Sequence, residues 1–179
     1  MDMTQEQTLV ALVEDKPGVL NRVASLFRRR NFNIDSLTVG HTSVPGVSRM
    51  TIVVGAGRTD AHLVEANLNK LVNVISVRDV TQDRTVTRDL ALVKVRADAG
   101  ARAEISQITE IFRAKIVDVS QTSLIVEITG TEDKINSILD LLEPFGIIEM
   151  VRTGCVAMVR GEERVPPMNG RRPALKSVS

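Results

Sequence analysis

The 179-residue sequence predicts an α+β fold of two tandem β-α-β-β-α-β units. Three observations carry this: a branched apolar run at residues 8–14, helical stripes that alternate with strand patterns, and a second passage through the same element order after residue 89.

Residues 8–14, Thr-Leu-Val-Ala-Leu-Val-Glu, are nearly continuous apolar and predict a central strand buried on both faces. Pro17 stands at or near the start of the first helix, where its missing N–H costs nothing. Leu20, Val23, Ala24 and Phe27 then recur at the spacing of one buried helical stripe. Arg28, Arg29 and Arg30 complement the dipole at the far end and read as a solvated helix terminus. Asn31-Phe32-Asn33 leads into a second strand at 33–40. After the turn signal at 42–46, residues 47–54 alternate, with Met50, Ile52 and Val54 on one face and Arg49 and Thr51 on the other, predicting a half-buried strand. Asp60 is placed to cap a second helix carrying Val64, Leu68 and Leu71, and Val74–Val80 supplies the fourth strand.

The remainder repeats the order: a strand at 90–97, a helix at 102–113, paired strands at 115–120 and 123–129, a helix at 132–143 capped by Thr131, and a strand at 147–158. Ile135, Ile138, Leu139 and Leu142 form that second helix's stripe. Phe27-Arg28-Arg29-Arg30 and Phe112-Arg113-Ala114-Lys115 look alike, so an internal duplication and a merely shared fold both account for the pattern. The domain reading is residues 1–80, a linker at 81–88, a second domain at 89–160, and a disordered tail at 161–179 with clustered Pro, Gly and Arg.

A β-α-β-β-α-β unit folds as a split βαβ, four antiparallel strands with both helices on one face. Its other face is left open. The two-sided apolar character of residues 8–14 therefore predicts that a sheet, domain or subunit covers that face, or that sheet edges pair between chains.

Composition narrows the function. A net charge of +1, and four Phe with no Trp or Tyr, give neither the basic surplus nor the stacking platforms of a nucleic-acid binder. No apolar run suits a bilayer, and Met1–Gln7 lacks the order of a signal peptide, so the expectation is a cytoplasmic protein with no membrane partner. Cys155 is the one cysteine, which rules out an intramolecular disulfide. Catalytic constellations are sparse. His41 and His62 have no sequence neighbours that would complete a metal or acid–base motif, and Cys155 in an apolar strand reads as an inert thiol. Acylphosphatase-type phosphate binding is disfavoured because Asp15 stands beside the first helix start, only partly offset by Lys16.

The same Asp15-Lys16-Pro17-Gly18 loop suits a zwitterion. The N–H groups of Gly18, Val19 and Leu20 at the positive helix end can receive a carboxylate, and Asp15 can meet an ammonium group. Gly18 admits a close approach, while Val19, Leu20 and Ile34 can line a small apolar pocket. Asp-x-Pro-Gly is equally a turn and helix-start signal with no ligand, and spacing alone leaves both readings open.

The strings Val13-Glu14-Asp15-Lys16-Pro17-Gly18-Val19-Leu20-Asn21-Arg22-Val23, Asn33-Ile34-Asp35-Ser36-Leu37-Thr38-Val39 and Ser48-Arg49-Met50-Thr51-Ile52 closely resemble the small regulatory subunit of acetohydroxyacid (acetolactate) synthase. Leu92-Val93-Lys94-Val95, Thr109–Arg113 and Ile116–Val119 resemble that family's second domain, so the likeness spans residues 8–160. The resemblance implies two tandem ferredoxin-like domains, the first an ACT domain. It implies a non-catalytic chain, without a cofactor of its own, that activates a catalytic subunit carrying thiamine diphosphate, Mg and FAD. It further implies feedback inhibition by valine or another branched-chain amino acid, and a homodimer paired through strand 2. Carried over by position, it assigns the effector site to Asp15, Gly18, Val19 and Leu20 of one subunit, with Asn33 and Ile34 closing it from the other. Many members carry Asn where this chain has Asp15. Outside the family, the same scaffold would serve a stand-alone amino-acid sensor acting on another enzyme or a transcription factor.

Overall fold

The computed structural model describes residues 6–55 and 61–162. Its first elements are β1 (Gln7–Glu14), α1 (Val19–Arg30), β2 (Ser36–His41), β3 (Val47–Val54), α2 (Ala61–Leu68) and β4 (Val74–Asp79). The later elements are β5 (Thr85–Arg96), α3 (Ala101–Ile111), β6 (Lys115–Val119), β7 (Ser123–Gly130), α4 (Glu132–Leu142), β8 (Ile147–Arg152) and β9 (Val156–Val159). Strand orders are β2-β3-β1-β4 and β6-β7-β5-β8, with β9 added against β5. The α+β class with two β-α-β-β-α-β units stands as the sequence predicts. The Asp60 cap and the tail from residue 163 onward lie outside the described residues.

The chain divides into two compact units, Met1–Val86 with Ala157–Ser179, and Thr87–Val156. These limits differ from the sequence reading in two places. Part of the 81–88 stretch is already strand, because β5 begins at Thr85. The single strand read at 147–158 breaks at Thr153–Cys155, where Thr153 receives the Leu90 N–H on its hydroxyl at 3.0 Å and returns its own N–H to the Leu90 carbonyl at 2.9 Å. Beyond the break, β9 belongs to the first unit from Ala157 onward.

That return explains the burial of β1. Leu9, Ala11 and Val13 face the helices and pack with Val19, Val23, Leu26 and Phe27 of α1 and Val64 and Leu68 of α2. On the opposite face Val10 is fully buried against Val80 and Ala157, with Leu12 and Val159 beside them. The open face foreseen for the first sheet is thus covered, at this place, by the chain itself. The same contact corrects β3, which is buried on both faces rather than half-buried. Thr51 is 3% exposed, and half-buried Arg49 donates from Nη2 to the Ala157 carbonyl at 2.7 Å. Burial pushes the Arg49 guanidinium below its usual pKa.

Helix limits follow from backbone chemistry. Pro17 lies in the turn before α1, not inside it, and Gly18 is the N-cap at φ 84° and ψ −6°. At the far end Asn31 takes the left-handed conformation, its N–H reaching the Arg28 carbonyl and the Phe32 N–H the Phe27 carbonyl. This is a Schellman cap, sealed by the edge-to-face pair of Phe27 and Phe32 with centroids 5.8 Å apart. An equivalent pair of bonds closes α3, from Arg113 N–H to Glu110 and from Ala114 N–H to Thr109, with Arg113 at φ 50°. Cap position therefore equates Phe27 with Thr109, not with Phe112, and the two look-alike fragments are out of structural register. Thr131 holds the extended N-cap backbone of α4, yet its side chain makes no cap hydrogen bond; Glu132 and Asp133 complement the dipole instead.

In the second unit Ala91, Val93 and Val95 of β5 and Leu124, Val126 and Ile128 of β7 pack against Ile105 of α3 and Ile135, Ile138 and Leu142 of α4.

Candidate functional site

The turn from β1 into α1 is held by one long-range and two local backbone bonds. Asp15 N–H donates to the Gly46 carbonyl at 2.9 Å, Lys16 N–H to Glu14 at 3.0 Å, and Val19 N–H to Lys16 at 3.3 Å. Gly18 is left-handed, and a Cβ built there would meet nothing within 4 Å, so its requirement is conformational rather than steric. The first helical bond runs from Arg22 N–H to the Gly18 carbonyl at 3.0 Å. Because Val19 gives its N–H to Lys16, the groups at the helix start without an intrahelical acceptor are those of Leu20 and Asn21. They sit at the positive end of the α1 dipole, which favours a carboxylate.

The side chains named from the sequence occupy distinct environments. Asp15 is exposed, and its Oδ2 lies 3.3 Å from Nδ1 of His41 at the end of β2. Asp15 is therefore a solvated, partnered group and not a buried charge. Val19 is 5% exposed and part of the core, whereas Leu20 is 47% exposed and faces outward. Ile34 is half-buried against the core. Asn33 is exposed, with its amide donating to Asp35 Oδ1 at 2.5 Å, and it makes no hydrogen bond to the 15–20 turn of its own chain. Asn33 and Ile34 precede β2 rather than opening it, because ladder bonding begins where Asp35 N–H meets the Val53 carbonyl at 2.9 Å.

β2 is an outer strand. It pairs with β3 without a bulge from Ser36 opposite Val53 to His41 opposite Ser48, so its other edge runs straight and, among the described residues, meets no further strand. Val39 is 43% exposed there, and the buried Thr38 hydroxyl has no hydrogen-bond partner among the described residues. By contrast β6, the corresponding edge of the second sheet, carries a register shift between Ile116 and Asp118, a feature that discourages further pairing.

Two residues that the sequence does not assign to the effector site belong to this neighbourhood. His41 reaches Asp15 from the far end of β2. Asn73, in the connection before β4, contacts both Glu14 and Arg22. No local pattern marks Asn73, because its role depends on partners 51 and 59 residues away.

Elsewhere, the Cys155 thiol is pushed up to about 11, first by burial and then by the neighbouring Asp89 carboxylate. Asp89 is itself buried and receives Nε and Nη2 of Arg152 at 3.1 and 2.6 Å. At pH 8 the thiolate population should be about a hundredfold below that of an ordinary thiol. Timed iodoacetamide labelling should show correspondingly slow alkylation that accelerates toward pH 11; free-cysteine rates at pH 8 would contradict it. Among the described residues no group of three or more His, Cys, Asp or Glu is placed to hold a metal ion, and no helix is long and apolar enough to cross a membrane.

Comparison with known proteins decides the family. Residues 9–76 match the model for the AHAS small subunit-like ACT domain, and residues 88–161 match that for the small subunit of acetolactate synthase. The chain belongs to the acetolactate synthase small-subunit family. It is 51% identical to the acetolactate synthase small subunit of Mycolicibacterium smegmatis over 88% of this chain and 93% of that one. It is 52% identical to the probable acetolactate synthase small subunit of Archaeoglobus fulgidus, over 89% and 99% respectively. The crystal structure of the acetolactate synthase small subunit of Thermotoga maritima superposes with a TM-score of 0.81 at 42% identity, covering 88% of this chain and 99% of that chain. Residues 9–76 are thereby an ACT domain, and the turn just described lies within it.

Proposed function

We propose that this chain is the regulatory partner of a separate acetolactate synthase catalytic subunit, which it activates and renders sensitive to valine or another branched-chain amino acid. The observation that carries the reading is the left-handed Gly18, which opens α1 with free N–H groups beside the straight β2 edge. The effector's carboxylate takes the Leu20 and Asn21 N–H groups, and Asp15 receives its ammonium group. Leu20, exposed in the single chain, meets the apolar side chain. Asn33 and Ile34 of a second copy, brought up by antiparallel pairing of β2 with β2, close the site. Binding and dimerisation are then coupled, and the effector biases the pair only through its different affinity for two arrangements. Thiamine diphosphate, Mg and FAD act on the catalytic subunit, so this chain contributes assembly and control and no chemistry.

Reconstitution with the catalytic subunit tests the reading. Adding the chain should raise acetolactate formation, and titrating valine, leucine and isoleucine should then lower it, with one of the three effective at the lowest concentration. The free chain should have the mass of a dimer or a multiple of it. An unchanged rate on adding the chain would sink the regulatory assignment; activation without inhibition by any of the three would sink the effector site.

A further inference from the structure

We propose that Asn73 is a positioning residue that pins both ends of the effector turn and so sets the affinity of the ACT domain for its amino acid. This rests on the effector site proposed above and extends it to a residue outside the turn. Asn73 lies in the connection between α2 and β4, half-buried, and its side-chain amide is used on both sides. Its Nδ2 donates to Glu14 Oε2 at 2.6 Å, at the point where β1 ends and the turn begins. Its Oδ1 accepts from Arg22 Nη1 at 2.8 Å, one helical turn into α1. The backbone adds a third tie, from Glu14 N–H to the Asn73 carbonyl at 2.9 Å. Glu14 Oε2 in turn lies 3.1 Å from Lys16 Nζ inside the turn.

A single side chain therefore spans the segment 15–21 from outside, fixing its entry at Glu14 and its exit at Arg22. Backbone bonds hold Asp15, Lys16 and Val19, but few side chains of the segment are packed. Asp15, Lys16, Pro17, Gly18, Leu20 and Asn21 are all exposed, and Val19 alone is anchored in the core. A turn that must order on binding costs affinity, and one ordered beforehand does not. Asparagine suits the task because one planar amide offers a donor to the carboxylate and an acceptor to the guanidinium. An aspartate there would keep the acceptor for Arg22 but set a second carboxylate against Glu14.

The test is Asn73→Ala in the full-length chain, reconstituted with the catalytic subunit and titrated with valine, leucine and isoleucine. Both side-chain ties go while the backbone bond remains. The half-inhibitory concentration of the preferred amino acid should rise about tenfold, while activation in its absence, the inhibition reached at saturation and the mass of the free chain stay at wild-type values. Arg22→Ala, which cuts only the exit tie, should give a smaller rise, and the double variant should be no worse than Asn73→Ala alone. A wild-type titration curve for Asn73→Ala overturns the proposal and leaves the effector site standing. Activation and inhibition lost in parallel, or additive effects in the double variant, also overturn it by marking a general folding defect or independent roles. Absence of inhibition in the wild-type complex removes the effector site and this proposal with it.

Discussion

Gly18→Asp is expected to abolish amino-acid inhibition of the reconstituted synthase while leaving its activation in place. Gly18 is left-handed, yet a Cβ there has open space on all sides, so the chain can accept a side chain at the cost of a strained backbone. That cost is about 1 kcal/mol for most residues and less for Asp and Asn, which visit the left-handed region more readily. The new carboxylate would stand beside the Leu20 and Asn21 N–H groups, where the effector's own carboxylate is proposed to sit. Two like charges about 4 Å apart near a protein surface repel by roughly 4 kcal/mol, and affinity falls tenfold with each 1.4 kcal/mol or so. The half-inhibitory concentration should therefore move by a hundredfold or more. Gly18→Asn separates the causes, having the same shape and backbone tolerance without the charge. It should retain measurable inhibition at a moderately raised concentration. Equal loss in both variants would assign the effect to bulk or backbone and remove the electrostatic account; unaltered inhibition in Gly18→Asp would remove the site.

Most of the fold was legible because it is written in local periodicity. The apolar run at 8–14, the α1 stripe and the alternation at 47–54 each reappear as an element in place, and the topology follows from their order. The features that escaped depend on distant partners. Residues 156–159 continue the apolar character of the strand before them, and the only local mark between β8 and β9 is Gly154 within Thr153–Cys155. The break at Thr153 exists because that hydroxyl finds Leu90, 63 positions away. Arg49 reads as the solvent face of an alternating strand until the carbonyl of Ala157 arrives 108 positions later. The look-alike Phe27–Arg30 and Phe112–Lys115 fragments misled for a related reason: helix ends are set by the left-handed cap, at Asn31 and Arg113, not by the phenylalanine. At the candidate site the turn itself was readable, from Pro17-Gly18 beside an acidic residue. The donor set was not. Which N–H groups remain free depends on Val19 turning back to Lys16, and the entry and exit of the turn are tied by Asn73, which carries no motif.

The return of β9 makes the first unit depend on residues at the other end of the described chain. Ending the protein after Cys155 should therefore destabilise the first unit while sparing the second unit's helical core. The truncation uncovers Val10 and Val80, each at most 2% exposed, and leaves the half-buried Arg49 without its carbonyl acceptor. Each valine stabilises by about 1.5–3 kcal/mol when buried, and a hydrogen bond from a charged donor adds about 1.5–3 kcal/mol. A loss of several kcal/mol is a large share of the roughly 5–15 kcal/mol that typically separates folded from unfolded domains. In a unit near 100 residues it corresponds to a fall of roughly 15 °C or more in the lower melting transition. Hydrogen exchange would show where the loss falls: amides of β1, β3 and β4 should lose protection, while those of α3, α4 and β7 keep theirs. Ending the chain after Glu162 instead keeps β9 and should place the lower transition well above that of the Cys155 truncation. Arg49→Met, which preserves the apolar stem and removes only the donor, should cost a fraction of the longer truncation. If both truncations melted alike, β9 would contribute nothing to the first unit, and the two-sided burial of β1 would need another cause.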